Sequence, residues 1–448
     1  MFPDRTFLRA FFAIALPIAL QNLFIASLGI VDTMLVGQLG ETPIAAIGLA
    51  NNLYFILIVV MIGVTSGAAI FVAQYWGQKD IVNIRRAQGL SLSLGVACGF
   101  LLTLIALFLP RQLLSLYSND PVVVASGQEY LVVVGFSYIP VTITICYAAV
   151  LSRVGNVRLP VTVSIVFLCA NTLLNYGLIL GHFGLPAMGI RGAAIAACVA
   201  RWLECLTLLS ITYLRRLPPA ASLRQLIDFP SGFVKRYFQV SAIILVSEIF
   251  WSIGYTVITG IYAHISTNAI AAVNIARALQ GIAMVVNWGS ITACAILVGT
   301  KVGAGDNEGA HRYGNWSLLT GALLSVGAGL LLILAAPYLL SIYRVPPETT
   351  TLAYQLVVVM GLSLWLRTLD GIIIVGVLRS GGDTVFSSFL DVVAIWVGGV
   401  LVCYIAGITL GLPVIWVQII SIAESLIKIG FGFPRIASRR WIINLALK

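Results

Sequence analysis

Three carboxylates stand where the sequence is too apolar to hold a charge cheaply. Asp32 sits in the run Gly29-Ile30-Val31-Asp32-Thr33-Met34, and Glu248 in Val246-Ser247-Glu248-Ile249-Phe250; neither has a basic residue within a helical turn. Asp370 lies in a third such run, with Arg367 one turn before it. An ionisable group at membrane depth costs about 2.5–3.5 kcal/mol or more, so each is a functional candidate by default. Desolvation penalises the charged form. A carboxyl that can exchange its proton, or hold Na⁺ with neighbouring oxygens, is the chemistry a cation-coupled carrier needs. Asp391 has no obvious partner and follows Asp383 by two turns. Arg367 would hold Asp370 ionised through a local ion pair. Asn171 and Asn175, four apart, share a helix face and can either bond a neighbouring helix or lie beside Asp32. Arg201 with Glu204, and Glu424 with Lys428, sit at spacings where each pair can neutralise itself. Arg277 lies about two turns into its span and can snorkel to the interface.

The elements that must position these groups are helices. Of 448 residues, 60% are hydrophobic and 9% charged, against about 25% charged in an ordinary soluble chain. Apolar stretches are long enough to cross a bilayer as helices, and strict period-2 alternation is lacking, which argues against a membrane barrel. Breaks at charge and turn clusters give twelve spans, near 11–36, 44–72, 89–109, 124–148, 159–180, 192–212, 237–263, 269–298, 315–336, 351–377, 385–408 and 412–433. The first is kept as a span, because no small-residue cleavage pattern follows it. The predicted fold is an all-α integral membrane protein: an N-lobe over 1–212, a cytoplasmic linker over 213–236, a C-lobe over 237–433 and a cytoplasmic tail over 434–448.

The two lobes are repeats. A shift of 226 residues places Gly77, Asp80 and Arg86 on Gly303, Asp306 and Arg312; it places the run Leu113–Tyr117 on Leu339–Tyr343, and Arg153 and Gly155 on Arg379 and Gly381. Gly, Asp and Arg at constant spacing in a loop are hard to obtain from apolar composition alone. Six spans per half make the repeat parallel, and such halves leave a cleft able to open to either side. None of the three acids repeats: Asp32 falls on Ile258, Glu248 on Asn22 and Asp370 on Thr144.

Charge distribution sets orientation and excludes other classes. Lys and Arg outside the spans divide nineteen to three, the nineteen including Arg379 and Lys448 on the side of the termini, the three being Arg111, Arg191 and Arg344. Both termini are therefore predicted cytoplasmic. The net charge of +10 lies in short loops, with no nucleic-acid motif. Seven cysteines in apolar runs without CxxC spacing read as packing residues. His182, His264 and His311 form no catalytic or metal motif, there is no nucleophile elbow, and neither an enzyme nor a filter-type channel is expected.

At these residues the chain resembles the multidrug and toxic compound extrusion (MATE) family over nearly its whole length. Pro17, Asn22, Val31-Asp32-Thr33 and Gly37 are similar to the family's first helix, and Gly77-Gln78-Lys79-Asp80 to the loop after its second. Asn171–Tyr176 followed by Gly189–Ala194 resembles its helix 5 to helix 6 passage; Glu248, Leu369-Asp370-Gly371 and Leu378–Asp383 resemble its helix 7 and helix 10 motifs. The resemblance implies a cation-driven antiporter of the bacterial inner membrane, expelling amphipathic, cationic small molecules as a monomer and without a cofactor. It implies that Asp32, Asn171 and Asn175 form an N-lobe proton or substrate site, and that Glu248 and Asp370 form the C-lobe cation site of the Na⁺-coupled branch. Arg367 departs from that pattern, and a branch resembling the DNA-damage-inducible F proteins uses protons and the helix 1 acid instead. In the expected cycle, drug and coupling cation compete for acids in the cleft, and Pro17 lets span 1 bend as Asp32 changes charge. A lipid-linked oligosaccharide flippase of the same wider superfamily is the rival expectation, but it calls for a cationic cavity where this sequence puts acids.

Overall fold

The computed structural model describes residues 3–341, 343 and 345–447. Ile342 of the repeat, and Arg344 and Lys448 of the charge count, lie outside the described residues. The chain folds as helices: α1 Arg5–Gly37, α2 Glu41–Gly77, α3 Ile81–Phe108, α4 Pro110–Ser115, α5 Pro121–Gly135, α6 Tyr138–Arg153, α7 Arg158–Leu180 and α8 Gly189–Leu214. A short α9, Leu223–Leu226, follows. The second half holds α10 Ser231–Ile265, α11 Thr267–Gly303, α12 Asn307–Leu340 and α13 Pro347–Gly371, the last continuing as a π-helix over Ile372–Arg379. Next come α14 Thr384–Val393, a π-helix Ala394–Leu401, α15 Val402–Tyr404, a π-helix Ile405–Thr409, α16 Val414–Ile420 and α17 Ala423–Ala437. Among the described residues, eleven helical stretches are long and apolar enough to span a membrane, and the bent pair α5–α6 supplies a twelfth.

The repeat is visible in element boundaries. α2 and α11 both start and end 226 residues apart, and α3 and α12, α5 and α13, and α7 and α14 start at that same offset. The chemistry of the turn explains why one loop recurs. Asp80 caps α3 by accepting from the backbone N–H of Asn83, and Asp306 caps α12 by accepting from that of Gly309. Lys301 and that N–H hold the Asp306 carboxyl below the usual carboxylate range. The residue before each cap is left-handed: Lys79 with φ 60°, Gly305 with φ 75°. The glycine adopts this without strain, whereas the lysine carries a Cβ penalty of about 1 kcal/mol.

The halves differ at their fourth span. α5 and α6 meet at 49°, where the second half runs straight on from α13. Pro140 is the local cause, since it has no N–H for the carbonyl of Phe136, one turn earlier. Trp202 Nε1 donates to that carbonyl instead (3.2 Å), and Thr103 Oγ1 donates to the Gly135 carbonyl at 2.8 Å. The position 226 residues after Pro140 is Leu366, which keeps the ladder intact.

The described chain forms two compact units. One comprises Met1–Leu20, Ala73–Lys79 and Val246–Lys448; the other Gln21–Val72 and Asp80–Leu245. The first is packed around α11, α12, α13 and the π-helical segments. It includes an aromatic cluster of Phe7, Tyr313 and Trp316. The second is packed around α2, α3, α5, α6 and α8.

The residues after α17 form a strap within the first unit. Ile443 N–H donates to the Gly381 carbonyl (2.8 Å), Asn444 Nδ2 to the Val302 carbonyl (3.0 Å), and Leu445 N–H to Gln74 Oε1 (2.7 Å). Gln74 Nε2 returns a bond to the Ile443 carbonyl at 3.2 Å. Trp441 is fully buried against Gly381, and its Nε1 donates to the Ile436 carbonyl. The large ring anchors the strap, so Trp441→Ala should lower stability by about 3–5 kcal/mol. Thermal unfolding of the detergent-solubilised protein checks this: an unchanged melting temperature contradicts the anchoring role.

Candidate functional site

Asp32 belongs to the second unit, on α1 and partly exposed. Its Oδ1 accepts from Thr172 Oγ1 at 3.1 Å and from Asn175 Nδ2 at 3.0 Å. Asn175 Nδ2 also donates to Asn171 Oδ1 at 3.3 Å, so the two amides share a face of α7 and the nearer one reaches the acid. Among the described residues no Lys, Arg or His lies within 4.0 Å of the Asp32 carboxylate. Asn175 is 5% exposed, and its Oδ1 is buried with no hydrogen-bond partner. This leaves an unused acceptor beside a carboxylate that is itself acceptor-only when ionised. Arg201 and Glu204, in the same unit, pair with each other at 2.9 Å.

The other acids belong to the first unit, where helix spacing alone does not decide who pairs with whom. Arg379 ends the π-helix after α13 and is 3% exposed. Its Nη1 lies 2.7 Å from Glu248 Oε1 on α10, and its Nη2 3.3 Å from Asp391 Oδ2 on α14. Lys428 on α17 bridges Asp391 (2.8 Å) and Glu424 (2.7 Å). Arg367 Nη1 approaches Glu424 Oε2 at 4.0 Å. Gly398 permits this convergence: a Cβ there would come within 3.0 Å of the Glu424 backbone, so α17 packs hard against the π-helix after α14. Glu248, Asp391 and Glu424 thus face Arg379, Lys428 and Arg367, three carboxylates against three bases. Asp370 stands outside this exchange. It accepts a hydrogen bond from Ser425 Oγ, and among the described residues no base comes within 4.0 Å of it.

Several of these placements differ from the spacing argument. Arg367 is one turn from Asp370 yet its ion pair is with Glu424. Glu424 and Lys428 do pair, but as part of a larger network rather than alone. Arg379, counted among loop residues because hydropathy breaks at Arg379-Ser380-Gly381-Gly382-Asp383, is a buried hub. Glu248 Oε1 accepts from the Arg379 guanidinium, and Asp370 Oδ2 accepts from Ser425 Oγ. Thr172 and Ser425 were legible only as polar residues beside an acid or amide, and no spacing singled them out. Pro17 lies within α1, as the sequence places it.

Comparison with known proteins bears on the family and the fold. The MatE family profile matches residues 17–177 and 244–405. A probable multidrug resistance protein NorM of Rhizobium meliloti is 28% identical over 97% of this chain and 94% of its own length. A probable multidrug resistance protein NorM of Agrobacterium fabrum is 26% identical over 89% and 87%. Among solved structures, a point mutant of the Vibrio cholerae MATE transporter VcmN superposes with a TM-score of 0.89 at 18% identity, covering 99% of both chains. A MOP superfamily transporter from Pyrococcus furiosus, described as having a binding pocket of reverse polarity, gives 0.84 at 18% identity and 96% coverage of both. With one profile spanning both halves and this fold throughout, the chain belongs to the MatE family.

Proposed function

We propose that this protein is a proton-coupled multidrug efflux antiporter of the plasma membrane, in which cargo and proton compete for Asp32. The observation that carries the reading is the setting of that carboxyl: a partly exposed acid in an apolar helix, held by neutral hydroxyl and amide donors alone. Protonating Asp32 breaks no ion pair, whereas Glu248, Asp391 and Glu424 each lie against a base. The orphaned Oδ1 of Asn175 supports a two-state site. With Asp32 ionised, the Asn175 amide donates. With Asp32 protonated, rotation of that amide presents Oδ1 as acceptor for the new O–H. Pro17, in the same helix, lets α1 bend as the charge changes.

The moving parts in this reading are the repeats, 1–212 and 237–433, alternating access about the linker 213–236, with both termini and the tail 434–448 cytoplasmic. Cargo is amphipathic and carries a positive charge matching Asp32, and the working unit is a monomer. Na⁺ in place of the proton would need Glu248 and Asp370 to share an ion; the Arg379 pair on Glu248 weighs against that. The flippase reading needs free cations for pyrophosphate, and Arg367, Arg379 and Lys428 face carboxylates.

The test is ethidium transport in proteoliposomes with pH and Na⁺ gradients imposed separately. The expected result is uptake driven by the pH gradient and indifferent to Na⁺. Transport driven by Na⁺ alone contradicts the proposal.

A further inference from the structure

The ends of α2 and α11 cross within the first unit, on small residues that the repeat exchanges: Ala73 falls on Gly299, and Gly77 on Gly303. A Cβ at Gly77 would strike the Thr300 carbonyl oxygen, and one at Gly303 the Gln74 carbonyl oxygen. The two backbones therefore touch, with no side chains interlocked at the glycines. One side chain at the crossing does not repeat. Gln74 falls on Thr300, whose Oγ1 donates to the Ile296 carbonyl of its own helix at 2.8 Å. Gln74 leaves its helix for the strap instead. It is fully buried, and both ends of its amide are used: Nε2 donates to the Ile443 carbonyl at 3.2 Å and the Ser380 carbonyl at 3.4 Å, while Oε1 accepts from Leu445 N–H at 2.7 Å.

The strap has ties of its own that do not involve α2. Asn444 Nδ2 donates to the Val302 and Gly303 carbonyls at the end of α11, and its Oδ1 accepts from Ala446 N–H at 3.0 Å. Ile443 N–H donates to the Gly381 carbonyl, and Trp441 packs on the same glycine. The strap is thus a fixture of α11 and of the turn before α14, and Gln74 ties α2 to it. A buried amide is costly unless paired. Gln74 is paired against the strap, and water would pair it if α2 moved off, so it has two satisfied states and strands no charge in either.

We propose that the strap is a clasp for alternating access. It holds the end of α2 on α11 in the form closed on the side of the termini, and opening there is the release of Gln74 from Ile443 and Leu445 while the strap stays on α11. This rests on the alternating-access reading above, and the test separates the two.

The measurement is backbone hydrogen exchange of the detergent-solubilised protein, read by mass spectrometry, for the wild type, for deletion of residues 442–448 and for Gln74→Met. The methionine keeps the length of the side chain and the whole tail but makes neither bond. Each variant should speed exchange at 73–79 and 300–305 by at least about tenfold. Each should also slow exchange at 41–50 and 267–276, the opposite ends of the same helices, because opening one side closes the other. α2 and α11 have 37 residues each, about 55 Å at 1.5 Å per residue, so local fraying does not reach those far ends. Faster exchange beside the strap with the far ends unchanged, within about twofold, marks a passive tail and overturns the clasp. Unchanged exchange at 73–79, or a rise throughout the chain, overturns it too. The expected pattern, in a wild type that shows no gradient-driven ethidium transport, upholds the clasp and overturns the efflux reading instead.

Discussion

Arg379→Leu should be the most destabilising single substitution in the buried charge network. It strands Glu248 without a base and leaves Asp391 with Lys428 alone. Removing one partner of a buried pair costs about 3–5 kcal/mol, because the surviving charge stays desolvated. The Glu248 side chain is 20% exposed, so water partly compensates and the loss should fall near the lower end. The companion variant decides the mechanism. Arg379→Leu with Glu248→Leu removes the charge pair together, and it should recover much of the lost stability, since a buried ion pair is often replaceable by apolar side chains. Thermal unfolding in detergent reads both. Equal destabilisation by the single and the double variant contradicts the pairing argument. In proteoliposomes the double variant should still transport in response to a pH gradient, because the network is assigned to holding α10, α14, α17 and the π-helix after α13 together, not to exchanging the coupling proton.

Asp32→Asn should do the reverse, sparing the fold and removing the coupling. The asparagine Oδ1 can accept the same bonds from Thr172 and Asn175, so the melting temperature should move by less than the equivalent of about 1 kcal/mol. Transport driven by a pH gradient should fall at least about tenfold, a loss of about 1.4 kcal/mol or more of coupling. Unchanged gradient-driven transport in this variant removes Asp32 from the mechanism. The two variants should contrast: Arg379→Leu should cost the fold and spare coupling, and Asp32→Asn should spare the fold and remove coupling.

Much of this was legible in the sequence, and what was not has identifiable physical causes. The repeat was legible because loop chemistry is local: a glycine, a left-handed residue and a capping aspartate specify the same turn at 77–80 and 303–306 wherever they occur. The twelve spans followed from hydropathy, including the fourth, although hydropathy carries no sign of the bend at Pro140 that splits it into α5 and α6. The bond from Asn175 to Asp32 is one of the two alternatives open to an amide at depth. The ion-pair partners were not legible. An i,i+3 spacing says that Arg367 and Asp370 can meet, but a second helix carrying Glu424 offers the arginine another acid, and chain-local spacing is blind to it. Arg379 was misplaced for a related reason. Its charge and the following glycines end a hydropathic run, so it reads as loop. The π-helix Ile372–Arg379 carries it on, and the strap after α17 lies beside it through Gly381. π-helical turns have no hydropathic signature, and three of them lie in the spans that carry Arg379 and Asp391.

The central claim, that cargo and proton compete for Asp32, is tested most directly by counting protons when cargo binds. Ethidium is added to the purified protein in weak buffer over a series of pH values, and proton release is followed with a pH indicator dye. The account predicts about one proton released per ethidium bound in the wild type and none in Asp32→Asn. Binding without proton release in the wild type, or undiminished release in Asp32→Asn, contradicts it.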